Sequence, residues 1–89
     1  MMYDLYTIYD TVAKECGPVF QAKNFEVACR YVAEMLKNNP VKLSEYYLCS
    51  IGNFDSDSGS ILPDVLVKHS LEELFGVDAE EVNDVDIQW

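Results

Sequence analysis

YDLYTIYDTVAKECGPVFQA, residues 3–22, decides the fold. Across residues 3–10, Tyr3, Leu5, Thr7 and Tyr9 alternate with Asp4, Tyr6, Ile8 and Asp10. A period of two in aromatic and β-branched types predicts a strand, with both faces partly covered. Residues 11–15 read as a connector and Gly17-Pro18 as a turn. Val19, Phe20, Gln21 and Ala22 then return as a short second strand, antiparallel to the first.

Working outward, Asn24 is placed to cap a helix. Phe25, Ala28, Cys29, Val32 and Leu36 recur at three- and four-residue steps, which sets them on one helical face. Asn38-Asn39-Pro40 stops the helix, because proline cannot continue the hydrogen-bond ladder. A polar connector over residues 42–45 leads to a strand over residues 46–54. Asp55-Ser56-Asp57-Ser58-Gly59 is a turn of short side chains that bond their own backbone. Ser60-Ile61-Leu62 begins the return strand, Pro63 ends it or marks an edge, and residues 65–67 resume the extended run. Ser70 with Glu73 forms a capping-box pattern for a short helix over residues 71–75, ended by Gly76.

The expected fold class is α+β: an antiparallel sheet of about four strands from two hairpins, with one amphipathic helix packed on a face. A short C-terminal helix completes a domain over residues 1–76. Residues 77–89 form an acidic C-terminal tail in which Val85, Ile87 and Trp89 alternate. That pattern suits an added edge strand or docking into another chain, and the charge equally suits disorder.

Eighty-nine residues, 49% of them hydrophobic, make one folding domain rather than a disordered chain. No segment approaches the ~20 apolar residues that span a bilayer, and MMYDLYTIYD has no basic region ahead of an apolar run. A cytoplasmic location is expected. Cys16, Cys29 and Cys49 are odd in number and widely spaced, which suits small core residues better than a disulfide framework or zinc site. The net charge is −10. Residues 1–60 hold eight acids against five bases, whereas residues 61–89 hold eight acids against Lys68 alone. The C-terminal third therefore repels phosphate.

Lys23, Arg30 and Lys37 lie seven apart, so a helix aligns them on one stripe that could contact phosphate. Glu26 and Glu34 lie four residues either side of Arg30, and a solvated surface laced with ion pairs is the preferred reading. Six tyrosines and four phenylalanines suit core packing or a dimer interface better than a platform for unpaired bases. Such a platform normally sits in a basic groove, which six lysines and arginines scarcely supply. Asn53-Phe54-Asp55-Ser56-Asp57 resembles the start of a calcium loop, but Ser58 and Asp64 stand where glycine and a bidentate glutamate are needed. His69 has no nucleophile paired with it in the sequence, and there is no Gly-rich phosphate loop. No catalytic, cofactor or metal site is expected, and no enzyme.

Tyr6, Asp10, Gly17-Pro18, Phe20, Asn24, Ala28 and Arg30, followed by Gly52, Phe54-Asp55, Gly59 and Ile61, carry a further signal. With the run G-x-F-D-x-x-x-G-x-I as their most specific part, they resemble the small nonstructural protein of gokushovirus-type microviruses, phages with small single-stranded DNA genomes. The resemblance covers about the first two-thirds of the chain. It implies a protein made during infection, absent from the virion, and acting in the cytoplasm of the bacterial host. It also implies a role in DNA binding or in the switch to single-stranded genome synthesis, with Arg30 the one matched base. Three functions of different class are expected to compete. One is a nonenzymatic accessory protein of phage DNA replication, touching single-stranded DNA or a replication protein. Another is an acidic module or DNA mimic that captures a host or phage protein. The third is a self-associating, scaffolding-type protein, such as a homodimer.

Overall fold

The structure, a computed structural model, describes residues 1–76. The tail over residues 77–89, with the docking residues Val85, Ile87 and Trp89, lies outside the described residues. Strand β1 (Met2–Asp10) organises the sheet. Along one edge it pairs with β2 (Glu15–Cys16) and β3 (Phe20–Ala22), and along the other with β4 (Tyr46–Asp55). Strand β5 (Ile61–Ser70) pairs with β4. Every pairing is antiparallel, so the two expected hairpins join through β1 and β4 into one five-stranded sheet. Helix α1 (Phe25–Asn38) covers one face, and a short helix α2 (Leu71–Phe75) follows β5 directly.

Strand β2 was hidden in the expected connector. Asp10 makes it possible, because its Oδ1 accepts from the amides of Val12 (2.9 Å) and Ala13 (3.1 Å) and its carbonyl accepts from Lys14 (2.8 Å). Those bonds close a tight turn, with Lys14 in the left-handed region at φ 60°, and Tyr9 and Asp10 then meet Cys16 and Glu15.

Helix α1 follows its periodicity. Asn24 Oδ1 accepts from the Val27 amide at 3.0 Å, which satisfies one of the free donors of the first turn. Ala28 and Val32 are buried, with Phe25, Cys29 and Leu36 packed beside them. Opposite lie Tyr6 and Ile8 of β1, Phe20 and Ala22 of β3, and Leu48 of β4. Leu71 of α2 closes the same core. Two local expectations change. The polar connector contains a 3-10 turn (Leu43–Glu45) whose Leu43 is buried. Ser70 does occupy the N-cap position of α2, but its side chain makes no capping hydrogen bond. Burial of Leu71 anchors that helix instead.

The sheet breaks its regular ladder at one level. Ile51 of β4 has no partner on β1, where Leu5 faces Gly52 and Tyr6 faces Ser50. On β5, Val67 faces Ser50 and Pro63 faces Gly52, so residues 64–66 stand against Ile51 alone. Strand β5 comes very close here. A Cβ on Gly52 would sit 2.5 Å from the Leu62 carbonyl oxygen, so only glycine fits. Pro63 lies within β5, on the outer strand of the sheet, where its missing amide is tolerated.

Candidate nucleic-acid interface

The strand register divides the side chains of the sheet between two environments. Tyr6 and Ile8 face α1, so the alternate residues Tyr3, Leu5, Thr7 and Tyr9 point to the other side. Opposite them across β1 and β4 stand Phe54, Gly52, Cys49 and Tyr47. The extra residue Ile51 brings Tyr47 and Phe54 onto one face although seven positions separate them. Lys68 pairs with Cys49 and reaches the same side. Its Nζ stands 4.9 Å from the centre of the Tyr9 ring and 5.9 Å from that of Tyr47, within cation–π range of both.

This face carries no element of the described residues on top of it comparable to α1. Tyr3, Tyr9, Tyr47 and Phe54 are each half-buried. Thr7 and Cys49, in the centre, are buried. Thr7 Oγ1 donates to the Gly17 carbonyl at 2.9 Å, so the hydroxyl is satisfied without water. Burial pushes the Cys49 thiol up, and burial followed by Glu26 does the same to Cys29. Both thiols are held in the protonated, weakly nucleophilic form at neutral pH.

Four strand carboxylates are kept off this surface. Asp4, Asp10, Glu15 and Asp55 all occupy ladder positions of the helix side. Asp4 accepts from Tyr6 Oη at 3.1 Å and from Asn53 Nδ2 at 2.8 Å. Burial, and then the neighbouring Asp4, push the Tyr6 phenol up to about 12. Asp55 is spent on its turn. It accepts from the Asp57 amide at 3.0 Å and from Ser58 Oγ at 3.1 Å, bonds that lower its pKa. Asp57 in turn meets the N-terminal ammonium at 2.5 Å. The carboxylate that suggested a calcium loop therefore organises the β4–β5 turn.

The expected basic stripe lies elsewhere. Lys23 precedes the N-cap and is not part of α1, so the seven-residue spacing aligns only Arg30 and Lys37. All three are exposed. Among the described residues, no ion pair within 4.0 Å joins Arg30 to Glu26 or Glu34. The expected ion-pair lacing is thus replaced by separately solvated charges. His69 packs its ring 4.6 Å from that of Phe25, a contact of the core. The grouping of Tyr9, Tyr47, Phe54 and Lys68 was not drawn from the sequence. Two signals pointed to it: Lys68 is the one base after residue 60, and a glycine inside a strand marks a bulge.

No helix among the described residues is long and apolar enough to cross a membrane. No curated protein and no solved structure matches the chain. The family model described as Phage ORF5 protein matches residues 3–72. That span runs from β1 into the first turn of α2 and takes in the whole sheet, the covering helix and the aromatic face. This chain of hairpin, helix and hairpin therefore belongs to the Phage ORF5 protein family, and is a small phage-encoded protein.

Proposed function

We propose that the protein is a nonenzymatic accessory protein of phage DNA replication that contacts single-stranded DNA through the uncovered sheet face. The observation that carries this reading is the aromatic surface with Lys68 above Tyr9 and Tyr47. Unpaired bases stack on aromatic rings whatever their sequence, and a cation beside the rings meets the backbone phosphate. A net charge of −10 weakens such binding overall, but Asp4, Asp10, Glu15 and Asp55 occupy register positions of the opposite side. The resemblance to the small nonstructural protein of gokushovirus-type microviruses supports the same role, in the cytoplasm of the infected bacterium.

The test is titration of a fluorescent oligothymidine with the full chain at ~50 and ~200 mM salt. Tyr47→Thr should weaken binding by the loss of one stacking contact, about 1–3 kcal/mol. Lys68→Gln should lower the salt slope by about 0.7, the value for one phosphate on a single strand. Arg30→Gln combined with Lys37→Gln should change neither by as much. If the helix variants alone weaken binding, the interface lies on α1. Absence of binding in every form removes direct DNA contact from the proposal.

A further inference from the structure

A cavity of about 510 Å³ opens on the helix side of the sheet, between the C-terminal half of α1 and the β1–β2 turn. Ile8, Phe20, Met35, Val41, Tyr46 and Leu71 form its apolar walls. The volume is in the range of pockets that enclose a bulky ligand group. Met35 and Val41 stay 41% and 37% exposed there, and Val12 and Val19, next in sequence to the lining residues Ala13 and Pro18, are exposed as well. The charged residues lining the cavity are Asp10 and Glu15, and no lysine or arginine lines it. Asp10 also pushes the phenol of Tyr46, another lining residue, up.

We propose that this cavity takes an apolar anchor from a second protein, carried on a short segment with lysine or arginine beside the anchor. The apolar walls supply the binding surface, and Asp10 and Glu15 select the charge of the flank. The chain's own tail offers Val85, Ile87 and Trp89, but residues 77–89 carry five acids and no base. Docking the tail would bring carboxylates against Asp10 and Glu15. Nucleic acid is disfavoured by the same two groups. The site is separate from the aromatic face, since Ile8 and Tyr9 point to opposite sides of β1.

The experiment uses the full-length chain, isotopically labelled for NMR, titrated with a synthetic twelve-residue amphipathic peptide of leucine and lysine. A peptide of the same pattern with glutamate in place of lysine is the control. The expected result is saturable shifts centred on Ile8, Met35, Val41 and Leu71 with the lysine peptide alone. Ala13→Phe fills space at the cavity without altering charge, and should weaken binding at least tenfold. Asp10→Asn with Glu15→Gln should do likewise, and Tyr47→Thr should have no effect. Binding untouched by Ala13→Phe would reveal mere attraction to an acidic chain and overturn the proposal. Equal binding of the glutamate peptide would also overturn it. So would cavity resonances that move when residues 77–89 are deleted, because the tail would then be the occupant.

Discussion

Gly52 is where one added methyl group would be felt most. Its Cβ would lie 2.5 Å from the Leu62 carbonyl oxygen and 3.1 Å from the Pro63 Cα, and both are backbone atoms that cannot swing aside. Gly52→Ala is therefore expected to destabilise the fold by about 1–3 kcal/mol, as overpacking does elsewhere, by pushing β5 off β4. Urea unfolding monitored by circular dichroism reads that loss. Tyr6 makes the second prediction at this scale. Its phenol ionises at about 12 in the folded chain, against an ordinary value of 10.0. The folded state then holds a proton that the unfolded state releases, so this contribution to stability is complete below pH ~10 and lost as pH rises to ~12. Tyr6→Phe should flatten the alkaline decline, and absorbance at tyrosinate wavelengths should show delayed ionisation in the parent protein.

The elements formed where local chemistry and burial agreed, and differed from expectation where they did not. Helix α1 was legible because its cap, its apolar face and its proline stop all point the same way. Asn24→Ala should remove about 1 kcal/mol, the usual worth of such a cap, and thermal melting measures it directly. The capping box at Ser70 was less reliable. A short helix held by the fully buried Leu71 has no need of a side-chain cap, and Ser70→Ala should leave the melting temperature nearly unchanged. Strand β2 is not legible in the sequence because two residues carry too little pattern, and buried Leu43 is masked by its polar neighbours. The bulge at Ile51 mattered most for the candidate site. Simple alternation sets Tyr47 and Phe54 on opposite faces, and only the extra residue unites them. Arg30 and Lys37 could be paired from spacing alone, whereas Lys23 depended on where the helix begins.

At the scale of the whole molecule, charge and surface are arranged in parts rather than averaged. The chain has sixteen acids and six bases, and residues 77–89 hold five of those acids. Deleting them halves the net charge. The expected consequence is tighter binding to any polyanion at ~50 mM salt and a smaller difference at ~200 mM, since screening shortens the reach of the removed charges. A truncated chain that binds oligothymidine no better than the full chain would show that the tail's charge does not reach the sheet.

Strand β5 carries a consequence for the chain at high copy number. Its outer edge is unpaired among the described residues, and Ile61, Leu62, Val65, Leu66 and Val67 are exposed along it. Such an edge invites a neighbouring copy to add its own strand, and the next copy after that. Pro63 withholds an amide donor, and residues 64–66 step out of line in the middle of the strand. Growth from copy to copy would have to cross that interruption. The shape of one strand thus opposes strand-by-strand growth between copies, alongside the repulsion between acidic surfaces.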